Sequence, residues 1–150
     1  MIELKTRPLC RYHAFLPEQQ VTGNAHFGRR MIGVVSGGAF EGERLRGKVL
    51  AGGGDWATID LKRDVLRIDV RLTWQTDDGA NIYVSYTGVL RPFSIVRQGR
   101  TDFPISDLYF RTSPIFETGH PRYQWLTDIV TVGIGSLIEG GVQYDIFEVL

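Results

Sequence analysis

The chain has a single cysteine, Cys10, and three histidines, His13, His26 and His120. One thiol excludes an internal disulfide and a thiolate metal site. No two histidines stand at H-x-H or H-x-x-x-H spacing, so a zinc site would need them to converge from distant segments, and no metal is expected. Cys10, between Leu9 and Arg11 in a strand-like run, reads as a small packing residue. An excess of either charge is also missing: Lys+Arg and Asp+Glu are both 17, which argues against nucleic acid or an anionic membrane as the main partner. No apolar run approaches the ~20 residues of a membrane span. Met1-Ile2-Glu3-Leu4-Lys5 carries no apolar signal-peptide core, so the cytoplasm is the expected location. Neither a G-x-x-x-x-G-K-S/T loop nor a G-x-G-x-x-G fingerprint occurs, and no nucleotide, nicotinamide or flavin cofactor is expected. No serine lies in a G-x-S-x-G elbow, which disfavours a hydrolase of that type. Helix signals are scarce.

Glycine is abundant, with 18 residues clustered as Gly37-Gly38, Gly52-Gly53-Gly54, Gly133 with Gly135, and Gly140-Gly141. Such clusters mark turns, bulges and tight bends between strands. Strand patterns recur between them at Pro8–Phe15, Met31–Ser36, Leu45–Leu50, Trp56–Leu61, Val65–Gln75, Asn81–Leu90, Leu108–Phe116, Leu126–Ile138 and Val142–Val149. Thr76-Asp77-Asp78-Gly79 joins two of them as a hairpin turn, and Glu139-Gly140-Gly141 joins the last pair. The one break, Pro92 to Asp107, has room for a short helical turn near Phe93–Gln98, with Pro104 ending it. Eight to ten strands joined mostly by hairpins, several of them long and glycine-rich, predict an all-β closed antiparallel barrel forming a single domain over residues 1–150.

The strand Val65–Gln75 alternates strictly: Ile68, Val70, Leu72 and Trp74 face one way, while Arg67, Asp69, Arg71, Thr73 and Gln75 face the other. Two orientations fit. In one, the apolar stripe fills the core and the polar face meets solvent. In the other, Asp69 and Arg71 line a polar lumen, and the apolar stripe packs outward, where a second copy of the chain would have to cover it. A homodimer is therefore a candidate.

Several stretches together carry a resemblance. They are Gly37-Gly38-Ala39-Phe40-Glu41-Gly42, Leu45, Gly47, Gly52-Gly53-Gly54-Asp55-Trp56, Asp69-Val70-Arg71, Thr76-Asp77-Asp78-Gly79 with Ile82-Tyr83-Val84, Tyr109-Phe110-Arg111-Thr112 with Pro114, Phe116-Glu117-Thr118-Gly119, Tyr123, Trp125-Leu126 and Gly133-Ile134-Gly135. The chain resembles, from about Pro8 to Val149, the bacterial and fungal family known as domain of unknown function 3237, or uncharacterised protein family 0311. It departs from the family's usual look at Asn24-Ala25-His26, where a Pro-Gly-like loop is common, and at Asp128, where Asn is frequent. The resemblance implies a calycin-like antiparallel barrel and no established activity.

It also implies a set of lumen residues. Arg71 and Arg111 offer planar donor forks to a carboxylate or enolate. Asp55, Asp69 or Glu117 is a general-base candidate if burial raises its pKa, and Tyr83 or Tyr123 a general acid or oxyanion donor. Trp56, Tyr109, Tyr123 and Trp125 are candidate ligand walls, with His120 at a barrel mouth. For each residue alone, a structural ion pair or core position is the competing reading. The set suits a cofactor-independent barrel that binds a small carbonyl- or carboxylate-bearing molecule, as a lyase, isomerase or cyclase. The alternatives are a non-catalytic carrier or sensor, and an interaction module whose lumen is packed shut.

Overall fold

A computed structural model describes residues 1–99 and 101–150. The strands are β1 (Thr6–Phe15), β2 (Glu18–Ala25), β3 (Gly28–Val34), β4 (Gly37–Glu41), β5 (Arg46–Val49), β6 (Gly54–Asp60), β7 (Val65–Thr76), β8 (Asn81–Arg91), β9 (Tyr109–Glu117), β10 (Thr131–Ile138) and β11 (Gly141–Val149). One short helix, α1 (Phe93–Arg97), lies in the expected break, and 3-10 turns cover Ile105–Asp107 and Pro121–Asp128. Sequence reasoning did not anticipate β2 and β4, and it read Leu126–Ile138 as continuous strand where Pro121–Asp128 is helical and β10 starts only at Thr131.

All pairings between neighbouring strands are antiparallel. The eight strands β1, β4, β5, β7, β8, β9, β10 and β11 close a ring, because β7 pairs with both β5 and β8. β7 is longer than its partners on one side and is shared between them. Its first half pairs with β6 (Asp60↔Val65 to Gly54↔Arg71) and its last residues with β5 (Val49↔Trp74 to Gly47↔Thr76). From the first half, β6, β3 and β2 continue the sheet as a flap.

Alternation assigns the faces. Ile68, Val70, Leu72 and Trp74 are all buried inside the ring, so the orientation with an outward apolar stripe is corrected, and with it the reason for a covering second copy. In β1 a bulge between Pro8 and Cys10 shifts the phase, so Leu9 and Cys10 are buried consecutively before Tyr12 and Ala14 resume the inward face. Proline has no N–H to give to the ladder, which suits it to the edge of a bulge. Burial, helped by the nearby Asp145 charge, pushes the Cys10 thiol up to about 12, as befits a packing residue.

One half of the barrel is solid. Phe40 stacks on Trp74 at 4.3 Å, and Tyr12 and Phe116 close on Trp74 at 5.2 and 5.4 Å. Glycine makes room for these rings: a Cβ on Gly47 would lie 2.8 Å from Phe40 Cζ. The 3-10 turn Pro121–Asp128 covers this end by burying Tyr123 and Leu126, and the Tyr123 hydroxyl donates to Asp78 Oδ1 at 2.8 Å in the β7–β8 turn. The other half of the barrel is hollow.

Candidate functional site

The hollow half holds a cavity of about 550 Å³. This lies within the usual range of roughly 300–1,000 Å³ for small-molecule sites. Leu66, Ile68 and Val70 of β7, Leu90 of β8, Phe110 of β9 and Val142 of β11 form its apolar wall. Met31, Gly33 and Asp55 enter from the flap, and Val96, Thr101 and the β10–β11 turn at Glu139 stand at the mouth.

Strand register places the polar groups. Directly paired residues in neighbouring strands share a face. Gln19, Gly33, Asp55, Val70 and Tyr86 are paired in sequence across β2, β3, β6, β7 and β8, so one row looks into the cavity. Tyr12 and Tyr144 are paired across β1 and β11 in the opposite wall, and their rings stack at 5.3 Å. The Tyr12 and Tyr86 hydroxyls meet across the barrel at 2.7 Å, and the Tyr86 ring meets Tyr144 edge-on at 5.5 Å. Three phenols thus converge on the cavity that Asp55 also lines.

Asp55 is held by a local irregularity in the sheet. The β6–β7 register pairs Gly54 and Asp55 with Arg71 and Val70 and resumes at Thr58↔Arg67; between them the Asp69 amide donates to Asp55 Oδ1 at 2.9 Å. Burial pushes the Asp55 carboxyl up to about 6, with the Asp69 amide pulling it down and the Asp69 charge adding to the rise. Burial also pushes the Tyr12, Tyr86 and Tyr144 hydroxyls well above the ordinary tyrosine range. The phenols stay protonated as hydrogen-bond donors, while the carboxyl is poised to exchange a proton close to neutrality. Among the described residues, no group of three His, Cys, Asp or Glu side chains is arranged to share a metal ion.

Of the residues singled out from the sequence, Asp55 lines this cavity and the others do not. Lumen placement is corrected for Asp69 and Arg71, which form a 3.2 Å ion pair on the outer face with 41% and 50% of their side chains exposed. Arg71 also lies over Trp56, 5.5 Å from the ring centre, on that outer face. Tyr83 and Glu117 are exposed cross-strand partners on β8 and β9. Tyr109 is an exposed ring flanked by Arg91 and Arg111 at 4.8 and 5.1 Å, and Arg111 Nη1 donates to the Phe110 carbonyl. The outward parity of all these residues follows from β7: once its apolar stripe turns in, its polar face and the residues paired with it turn out. Tyr123 and Trp125 belong to the turn covering the solid end, where Arg44 lies 4.1 Å from the Trp125 ring centre. His120 is the N-cap of that turn, accepting the Arg122 amide at Nδ1.

Sequence reasoning missed Tyr12, Tyr86 and Tyr144. Their signal was a hydroxyl-bearing aromatic on an inward apolar stripe, as in Ile82-x-Val84-x-Tyr86 and Val142-x-Tyr144-x-Ile146.

Known proteins share this architecture. A UPF0311 protein of Rhodopseudomonas palustris is 33% identical over 98% of this chain and 97% of its own length. The crystal structure of a conserved protein of unknown function from that organism superposes with a TM-score of 0.93 at 32% identity, covering all of both chains. A β-barrel-like protein from Acinetobacter baumannii gives a TM-score of 0.86 at 30% identity over 100% of this chain and 98% of its own. An enzyme from Penicillium herquei shares the fold at a TM-score of 0.74 and 17% identity, over 100% of this chain and 97% of its own. The family model described as protein of unknown function DUF3237 matches residues 4–149, and the chain belongs to that family.

Proposed function

We propose that the protein is a cofactor-independent enzyme that moves a proton next to the carbonyl of a small molecule bound in the hollow half of the barrel. The observation that carries this reading is a desolvated carboxyl, Asp55, sharing a cavity with a network of protonated phenols. A carboxyl with a pKa near 6 is a competent base at neutral pH, and its conjugate acid is strong enough to return the proton. Abstraction from carbon adjacent to a carbonyl develops negative charge on the carbonyl oxygen, which a preorganised donor in a water-poor site stabilises. Tyr12 and Tyr86 provide such a donor. Tyr86 also shares a hydrogen bond with Tyr144, so three linked hydroxyls use two protons between them and leave the third to donate to a ligand, polarised by its neighbours. The pairing of a carboxylate base with a tyrosine donor in an apolar site is an established solution for isomerisation through an enolate. That a protein of the same fold is called an enzyme agrees with a catalytic reading.

The test is exchange of hydrogens adjacent to a carbonyl. With 2-tetralone in deuterated buffer, the unaltered protein should speed exchange, as read by NMR, and Asp55→Asn should lose about 10²–10⁴-fold of that rate. Equal rates above that of buffer would remove Asp55 from the chemistry, and no acceleration by the unaltered protein would overturn the proton-transfer reading and favour the carrier.

A further inference from the structure

We infer that the substrate carries a carboxylate at the end remote from its reacting carbonyl, and that Arg29 of the flap receives it. This rests on the proposed function for the placement of the carbonyl. It narrows the substrate class from molecules bearing a carbonyl or a carboxylate to molecules bearing both, at opposite ends.

Arg29 stands on β3 two residues before Met31 and four before Gly33, both of which line the cavity, so all three share the inner face of the flap. Register gives the same placement across the sheet: Arg29 is paired with Ile59, Ile59 with Leu66 and Leu66 with Leu90, and the two leucines line the cavity. The Arg29 Nε is buried and, among the described residues, has no hydrogen-bond partner. Arg7 and Arg44, by contrast, share Glu148, Arg11 holds Asp145 and Arg71 holds Asp69. A buried guanidinium N–H left without an acceptor is unfavourable, so an orphan of this kind calls for an acceptor from outside the chain. A carboxylate matches the planar donor fork.

Spacing keeps the two negative charges apart. Gly33 is the direct partner of Asp55, and Arg29 precedes it by four residues of extended chain, about 13 Å. A carboxylate drawn to Arg29 therefore lies well away from the Asp55 carboxyl, while the carbonyl at the other end of the same molecule reaches the tyrosines. Leu66, Ile68 and Val70 of β7 run along the cavity wall and suit an apolar body joining the two ends.

The chain supplies its own reporter. It has two methionines: Met31 lies between Arg29 and Gly33 and lines the cavity, and Met1 is fully exposed. With ¹³C-methyl-methionine labelling, the Met31 signal reads cavity occupancy and the Met1 signal controls for non-specific effects. The protein is titrated at pH 7.5 with 6-carboxy-2-tetralone, whose carboxylate is on the ring opposite the ketone, and with the methyl ester of that acid, which has nearly the same shape and no charge. We expect the acid to bind at least about tenfold more tightly than the ester. Arg29→Gln removes an unmatched charge and keeps most of the side chain's length, so the fold should hold, with ester binding unchanged as its check. The preference for the acid should disappear in this variant. Equal binding of acid and ester by the unaltered protein overturns the inference, and so does a preference that survives in Arg29→Gln or failure of the acid to move Met31 at millimolar concentration. If the acid binds through Arg29 but its hydrogens exchange no faster than in buffer, the proton-transfer reading fails and the anchor stands. If exchange is accelerated with no preference for the acid, the anchor alone fails.

Discussion

Asp55→Asn should make the protein more stable at neutral pH while slowing the proposed chemistry by about 10²–10⁴-fold. The carboxyl titrates at about 6 in the folded protein, against an ordinary value of 3.8 for a solvated aspartate. A raised acid pKa means the folded state holds the proton more tightly than the unfolded chain does. Stability therefore falls as pH rises from about 4 to about 6, and above that the folded protein carries the full cost of the buried charge. A shift of roughly two units at ~1.4 kcal/mol each gives about 3 kcal/mol, an order-of-magnitude figure for a group that retains some exposure to the cavity. Asparagine keeps an oxygen that can accept the Asp69 amide and removes the charge. Urea denaturation of both proteins should show Asp55→Asn more stable at pH 8 by about 2–3 kcal/mol, with the gap closing toward pH 4. Other carboxylates with lowered pKa, Asp78 and Glu148 among them, tilt both curves the opposite way. The difference between the curves isolates Asp55. A gap that is constant from pH 4 to pH 8, or a variant less stable at pH 8, would refute the claim that a desolvated carboxylate is held in the cavity.

Tyr86→Phe removes one of two hydroxyls 2.7 Å apart and should slow carbonyl-adjacent exchange by about 10²–10³-fold with little change in 2-tetralone affinity, measured by NMR exchange and titration. Trp74→Ala deletes the side chain at the centre of the aromatic stack and should cost about 3–5 kcal/mol in urea denaturation. Arg71→Ala and Arg111→Ala, on the outer face, should each leave cavity binding unchanged and stability within about 0.5 kcal/mol, by Met31 titration and denaturation; loss of ligand binding in either would contradict the assignment of the site.

The fold was more legible in the sequence than the site. The long alternation of Val65–Gln75 and the Asp-Gly turn after it announce a hairpin without any knowledge of distant contacts. β2 escaped because Glu18–Ala25 lies at the edge of the flap, mostly exposed, and has no stripe to show. β4 escaped because Gly37-Gly38 looks like a turn, although at φ of +154° and +150°, a backbone that favours glycine, the two residues still pair with Phe15 and Ala14 of β1 and let it approach: a Cβ on Gly38 would lie 2.0 Å from the His13 carbonyl oxygen. Period-two alternation is symmetric between inside and outside, so it could not orient the charged face of β7. Asp55 was found because it stands in a dense motif, whereas the tyrosines look like ordinary core aromatics. What gathers them is the pairing of β1 with β11 and the closure of β7 onto β8, contacts that neither stretch reveals alone.

The sharing of β7 between β5 and β6 has a consequence for how such a protein changes over time. One end of the strand anchors a tightly filled base and the other borders an open bowl, so the two halves answer to different pressures. Residues such as Met31, Leu66 and Val96 around the bowl have slack to be resized for a new guest, because the base that keeps the ring folded does not depend on them. A scaffold divided in this way can acquire new small-molecule specificities by changing its upper lining while its foundation stays as it is.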